Sequence, residues 1–324
     1  MIISQTPFRL SFAGGGTDLA DFYTKEYGAV LSIALRRHMY VTIHSRFERN
    51  IRISYSKTEI ADTVSDIDHD LVRQAMRVTD NDGPIEITTI ADVPGGTGLG
   101  SSSTLTVGLL NALYAYKGKV SSRTKLAEEA CSIEIDSLKS PIGKQDQYAA
   151  AFGGMNYIRF NPDHSVEVEP VPCNFAMRGK IERHSLMIYT AQKRSANKIL
   201  TQQKKGTLGK FDVLRKMRDM ADELRNVVLN GCDPETFGNI LHESWLLKRS
   251  LGFGITNTLV DDWYDRAREA GAWGGKLLGA GGGGFLYVLA PPEKHSSILA
   301  ALGEPQTLDV EFDHLGSRIV FISE

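Results

Sequence analysis

Asp92-Val93-Pro94-Gly95-Gly96-Thr97-Gly98-Leu99-Gly100-Ser101-Ser102-Ser103 is a glycine loop that runs into three serines and then into an apolar, helix-periodic stretch. Small residues let a backbone turn tightly and aim several N–H groups at one point. A helix that begins at the serines adds the positive end of its dipole. Together these features suit a polyphosphate. The serines can cap the helix, touch phosphate oxygens or ligate a metal. No lysine follows the last glycine, so the loop is not a Walker A loop.

The rest of the composition is that of an ordinary soluble protein. The chain has 324 residues, 42% hydrophobic and 23% charged, with room for two domains. A net charge of −2 without a basic stripe gives no case for nucleic acid. Cys131, Cys173 and Cys232 are far apart and form no C-x-x-C pair, so neither a disulfide framework nor a zinc site is indicated. The first residues lack a basic region followed by a long apolar core, and no apolar run reaches the ~18 residues of a membrane helix. A cytoplasmic protein without a membrane partner, monomeric or homodimeric, is expected.

Outward from the loop, strand-like runs occur at Met39–Ser45, Ile51–Tyr55 and Ile85–Ile90. Leu105, Leu109, Leu113 and Tyr116 recur at helical spacing after the serines, and a second helix is predicted over Arg123–Leu138. Met155–Phe160 and Val166–Val171 read as a hairpin. A domain boundary is expected near Pro170–Arg178, dividing the chain into 1–175 and 176–324. The second part reads as a buried strand Leu186–Tyr189, a long amphipathic helix from Phe211 to Val228, helices over Glu235–Leu247 and Leu259–Glu269, and strands at Phe285–Leu289 and Ile319–Ile322. Strands and helices mix without regular βαβ alternation, which favours an α+β class.

Two more glycine segments accompany the first. Pro7-Phe8-Arg9-Leu10-Ser11-Phe12-Ala13-Gly14-Gly15-Gly16-Thr17-Asp18 lies near the start, and Gly274-Gly275-Lys276-Leu277-Leu278-Gly279-Ala280-Gly281-Gly282-Gly283-Gly284 precedes a predicted strand. Each alone also fits a turn or a connector. Gly279–Gly284 matches G-x-G-x-x-G, but a strand follows where a dinucleotide site needs a helix. Together, in this order, the three segments resemble the motifs of the GHMP kinases. That family's second motif, Pro-x-x-x-Gly-Leu-Gly-Ser-Ser, matches Pro94 through Ser102 residue for residue.

The resemblance implies a two-domain fold, with an N-terminal domain like ribosomal protein S5 domain 2 and a ferredoxin-like C-terminal domain. It implies ATP and Mg2+ as cofactors, with Pro94, Gly95, Gly96, Gly98, Leu99, Gly100, Ser101, Ser102 and Ser103 around the ATP phosphates. Gly143-Lys144-Gln145-Asp146-Gln147 is similar to the family's Asp-Gln element, which makes Asp146 the catalytic base. A helix-capping aspartate is the plainer alternative. Arg9 matches the first-motif arginine beside that base, where a guanidinium favours the ionised carboxylate and offsets charge on the transferring group. Ser102 and Glu134 match the magnesium ligands, although Glu128, Glu129 and Asp136 leave an exposed acidic face as a competing reading.

For the acceptor, the resemblance implies sugar contacts from Gly15, Gly16, Thr17 and Asp18, and from Gly281 and Gly282 in the third motif. Galactokinases carry Glu-His where this chain has Gly15-Gly16, which puts galactose in doubt. The first and third motifs, Tyr189–Ala196 and His242–Lys248 look like the branch that acts on D-glycero-D-manno-heptose 7-phosphate. That implies phosphorylation of the anomeric hydroxyl to a 1,7-bisphosphate, on a route to a GDP-activated heptose. Lys193, Arg194 and Lys248 are the cations expected for a phosphosugar. A fucokinase-like sugar 1-kinase, which needs no second phosphate site, is the alternative within the class. A non-catalytic sugar sensor and a NAD-binding oxidoreductase are more distant ones.

Overall fold

The computed structural model describes residues 1–192, 210–252 and 254–323. Its strands are β1 (Ile2–Ala13), β2 (Gly28–Ser45), β3 (Ile51–Ser54), β4 (Thr58–Ala61), β5 (Ile85–Ala91), β6 (Met155–Phe160), β7 (Val166–Pro170), β8 (Ser185–Tyr189), β9 (Gly274–Leu277), β10 (Phe285–Leu289), β11 (Thr307–Leu308), β12 (Phe312–Asp313) and β13 (Arg318–Ile322). Its α-helices are α1 (Ala20–Tyr23), α2 (Asp70–Val78), α3 (Ser101–Tyr116), α4 (Arg123–Cys131), α5 (Gln145–Phe152), α6 (Phe175–His184), α7 (Phe211–Leu229), α8 (Pro234–Ser250), α9 (Thr258–Glu269) and α10 (His295–Ala301).

A nine-stranded sheet with β1 and β2 at its centre forms the first half. β2 changes partners along its length: Gly28–Ile33 pairs with β6, and Met39–Ser45 pairs with β5. The sequence reading found only the second of these stretches. The first, Gly28–Leu35, is wholly buried and near-continuously apolar, so it lacks the alternation that marks a half-exposed strand. In β1 the alternation is clear. Phe8, Leu10 and Phe12 are fully buried, while Arg9 and Ser11 alternate with them and line a cleft. Its pairing with β2 shifts between Pro7 and Arg9 and again between Ser11 and Ala13, irregularities of the kind that re-aim side chains beside a site.

The second half is a four-stranded antiparallel sheet in the order β11-β8-β10-β9. Numbered by occurrence this is 4-1-3-2, the ferredoxin-like arrangement, with helices in the crossovers. The chain therefore adopts the α+β class expected of it. A division at 175/176 does not describe the last strand, because β13 pairs with β1 in the first sheet and covers an edge that would otherwise stand open. The two halves share a core: the Phe12 ring meets Phe237 at 4.9 Å and Tyr287 at 6.0 Å, edge to face. All three cysteines are free thiols. Among the described residues no helix is long and apolar enough to cross a membrane.

Candidate active site

A cavity of about 370 Å³ lies where the three glycine segments meet. The central loop is held by its neighbours. Gly96, Gly98 and Gly100 have φ of 78°, 84° and 80°, a region that suits glycine. A Cβ on Gly98 would overlap the carbonyl oxygen of Leu278, and one on Gly279 would overlap Gly98. The central and third glycine loops therefore pack backbone to backbone, and Phe285 N donates to Thr97 O across the junction. Gly100 is the N-cap of α3, so the free N–H groups of Ser101, Ser102 and Ser103 open toward the cleft these residues line.

Arg9 and Asp146 form a doubly hydrogen-bonded pair of side chains there. Nε and Nη2 of Arg9 donate to Oδ1 and Oδ2 of Asp146, both at 2.7 Å, and Nη1 donates to Gly98 O at 2.7 Å. This bidentate fork fixes the carboxylate in plane and ties it to the loop. Asp146 sits in the first turn of α5 without capping it, so the capping alternative is not what the fold uses. Its side chain keeps 23% exposure against 6% for Arg9, which leaves it accessible from the cleft.

Glu134 arrives by a different device. The predicted second helix continues past Cys131, but Ser132–Ser137 is a π turn, with Leu138 N donating to Ile133 O five residues back. The widened turn buries Ile133 and Glu134 together, at 0% and 1% exposure. Glu134 Oε1 accepts from Ser102 Oγ at 2.5 Å, and Oε2 accepts from Gln147 Nε2 at 2.7 Å. Burial pushes its carboxyl up, against the opposing hydrogen bonds from Ser102, Ser103 and Gln147. The competing acidic-face reading therefore fails for this residue, whereas Glu129 is spent on the Tyr114 hydroxyl. A hydroxyl and a buried carboxylate are hard oxygen donors that fit Mg2+, an ion that takes its remaining ligands from water and phosphate. Among the described residues no cluster of three or more His, Cys, Asp or Glu forms a full protein cage.

Asp18 lines the same cavity. Its Oδ1 accepts from Gly16 N at 2.9 Å and its Oδ2 from Gln145 Nε2 at 2.9 Å. Burial raises its pKa. Gly15, Gly16 and Gly281 also line the cavity. Thr17 does not: it is fully buried, and its hydroxyl donates to Gly14 O and Ala29 O and accepts from Ala29 N, which knots the first motif onto β2. It has no hydroxyl to offer a substrate. Gly282 is likewise turned away, its N–H on Ile255 O and its carbonyl on Asn257. Leu99 is core, and Pro94 and Gly95 lie outside the lining.

Lys248 reaches the cleft from α8. Phe237, Leu241, Ser244 and Lys248 are buried at helical spacing and form one stripe, which ends with Lys248 Nζ donating to Gly279 O at 2.6 Å. Burial holds its ammonium down to about 8, with Arg9 adding to the effect. Lys193 and Arg194 lie outside the described residues. The sequence reading gave no role to Lys276 of β9, which lines the cavity and donates to the carbonyls of Ser11 and Phe12 at 2.7 and 2.9 Å. The one signal in the sequence is a single charge among the glycines and leucines of the third glycine segment.

Comparison with known proteins gives the family. The model of the GHMP kinases N-terminal domain matches residues 70–154, and that of the GHMP kinases C-terminal domain matches 220–306. The chain is 30% identical to a D-glycero-alpha-D-manno-heptose 7-phosphate kinase of Campylobacter jejuni, over 94% of each chain. It is 26% identical to a bifunctional fucokinase/GDP-fucose pyrophosphorylase of Arabidopsis thaliana, over 95% of this chain but 32% of that protein. The crystal structure of a D-glycero-D-manno-heptose 1-phosphate kinase from Bacteroides thetaiotaomicron superposes with a TM-score of 0.83 at 25% identity over the whole of both chains. With both domain models matched in order and a relative aligned nearly end to end, the chain belongs to the GHMP kinases.

Proposed function

We propose that this protein transfers the γ-phosphoryl group of ATP to the anomeric hydroxyl of D-glycero-D-manno-heptose 7-phosphate. The observation that carries the reading is the fixed Arg9–Asp146 fork at the mouth of a glycine loop that suits a polyphosphate. Backbone N–H groups of Gly96 to Ser103 receive the ATP phosphates. Ser102 and Glu134 hold Mg2+, which when bound supplies positive charge for the polyphosphate. Asp146 accepts the proton of the anomeric hydroxyl as its oxygen bonds to the γ-phosphorus and ADP departs with the bridging oxygen. Arg9 orients that carboxylate and offsets charge on the transferring group.

Asp18, Gly15, Gly16 and Gly281 take the sugar, and Lys248, with Lys193 and Arg194, takes the distal phosphate. The 7-phosphate acceptor is supported by the Campylobacter relative. The Bacteroides protein is named a heptose 1-phosphate kinase instead, so the test must separate the two. A fucokinase-like activity on an unphosphorylated sugar is the second reading, favoured by the likeness to the Arabidopsis protein along nearly all of this chain.

Initial rates with ATP on heptose 7-phosphate, heptose 1-phosphate, unphosphorylated heptose, fucose, galactose and mannose decide between them. Heptose 7-phosphate is expected to lead in kcat/KM by about tenfold or more, the scale of one charge-assisted contact. Equal use of an unphosphorylated sugar replaces this reading with the fucokinase-like one.

A further inference from the structure

Two lysines of the second half enter the cleft without a carboxylate partner. Among the described residues neither Lys248 nor Lys276 is in an ion pair, and each is buried, at 7% and 4% exposure. Among the described residues their hydrogen bonds go to main-chain carbonyls: Gly279 for Lys248, Ser11 and Phe12 for Lys276. An ammonium carries three donors, so Lys276 keeps one N–H and Lys248 two. The carboxylates of the cleft are committed elsewhere: Asp146 to Arg9, Glu134 to Ser102 and Gln147, Asp18 to Gln145 and the Gly16 N–H. Burying an ammonium without a counter-ion is costly, which makes this pair a standing demand for an anion.

The fold explains how Lys276 comes to face the cleft. It sits opposite Tyr287 in the β9–β10 pairing, and Tyr287 packs near Phe12 of β1. Leu277 and Leu286, the adjacent pair, fall in the second core. Strand alternation therefore turns Lys276 toward the first half.

The geometry points to Lys276 and Lys248 as a two-lysine seat for the phosphate group carried by the acceptor sugar. This deepens the reading that the acceptor is a phosphosugar, and rests on it. The nucleotide's phosphates have their own donors in the backbone of Gly96 to Ser103, on the first half of the chain. The lysines come from the second half, and the charges that act on them include the sugar-side Asp18 as well as the Arg9–Asp146 pair at the reacting centre. Lys248 is faced by Arg9, Asp18 and Asp146, and Lys276 by Lys248 and Arg9. Burial lowers the pKa of both, and an arriving dianion opposes that shift. A phosphate monoester offers enough oxygens and charge for two ammonium groups.

The test uses Lys276→Met and Lys276→Arg beside the wild type. In Lys276→Met, KM for heptose 7-phosphate is expected to rise about tenfold or more while KM for ATP moves less than about threefold. Lys276→Arg, which keeps the charge, recovers part of the loss. Inorganic phosphate is expected to inhibit wild type competitively against the sugar, and to do so about tenfold more weakly in Lys276→Met. A rise in KM for ATP that matches the rise for the sugar, or a fall in kcat alone, overturns the assignment.

A measurement on wild type stands even if Lys276→Met does not fold. Acetylation of Lys276 by acetic anhydride, read by mass spectrometry, is expected to slow when heptose 7-phosphate or inorganic phosphate is present without ATP. Labelling that neither anion slows removes the seat. Protection by inorganic phosphate, in an enzyme that turns over heptose 7-phosphate no better than the free sugar, keeps the seat and rejects only the sugar.

Discussion

The two ends of the cleft are built from different material. The loop end, Gly96 to Ser103, offers main-chain N–H groups, three glycines at positive φ and three small hydroxyl side chains. The side-chain end, which begins against that loop where Arg9 donates to Gly98 O, offers long charged side chains gathered from distant segments: Arg9 of β1, Asp146 of α5, Lys248 of α8 and Lys276 of β9. A main-chain site resists an added Cβ where the backbone packs closely, as at Gly98, but asks little of charge. A side-chain site tolerates changes of shape but not of charge. Substitutions at the two ends should therefore fail in different ways, and the contrast can be broken at either end.

The largest effect is expected at the side-chain end. Asp146→Asn keeps size and hydrogen bonding but removes the carboxylate. Turnover should fall by ~10²–10⁴ while ATP binding, titrated with a fluorescent analogue, changes little. Turnover within a few-fold of wild type would remove Asp146 from the proton-accepting role.

At the loop end the expected effect is smaller and of the opposite kind. Gly98→Ala forces a side chain into the left-handed region and against the Leu278 carbonyl. The conformational cost alone is about 1–2 kcal/mol, so calorimetric affinity for a non-hydrolysable ATP analogue should drop by about tenfold. Sugar binding should be nearly untouched. Unchanged nucleotide affinity would show that the loop is not the phosphate cradle.

The smallest effect sharpens the electrostatic side of the contrast. Burial holds Lys248 at about 8 in the folded protein, below its ordinary 10.5. Below pH 8 the charged lysine is present in both folded and unfolded chains, and the penalty on folding is complete. Between about pH 8 and 10.5 the unfolded chain binds the extra proton, so the ligand-free protein gains stability as pH rises. Lys276 contributes with the same sign. Relative to Lys248→Met, the wild-type melting temperature should climb by about a few degrees over that window. A difference that does not change with pH would mean that Lys248 is not desolvated.

The same contrast explains what could be read before the structure was known. The loop end is contiguous in sequence, so its glycines and serines were visible as a motif, and the apolar spacing after them gave α3. Asp146, Arg9 and Glu134 stand out only through motif resemblance, because nothing local links Arg9 to residues more than a hundred positions away or marks one acidic residue among its neighbours. The π turn that buries Glu134 has no pattern distinct from an ordinary helix. Lys276 lies inside a motif, but its role is not legible there, since its partners are carbonyls of β1 that only the joining of the two halves brings near. Thr17 was misassigned for a related reason: a hydroxyl in a motif reads the same whether it faces a ligand or ties down a turn. The first part of β2 and the return of β13 to β1 were hidden because burial on both faces and long-range pairing leave no period to detect.

The central claim is that phosphate is added to the anomeric oxygen of a sugar already carrying one. Phosphorus NMR of the product formed from ATP and D-glycero-D-manno-heptose 7-phosphate tests it most directly. A second phosphomonoester signal coupled to the anomeric proton is expected, with the original 7-phosphate signal retained. A new phosphate coupled to protons of any other carbon would contradict it.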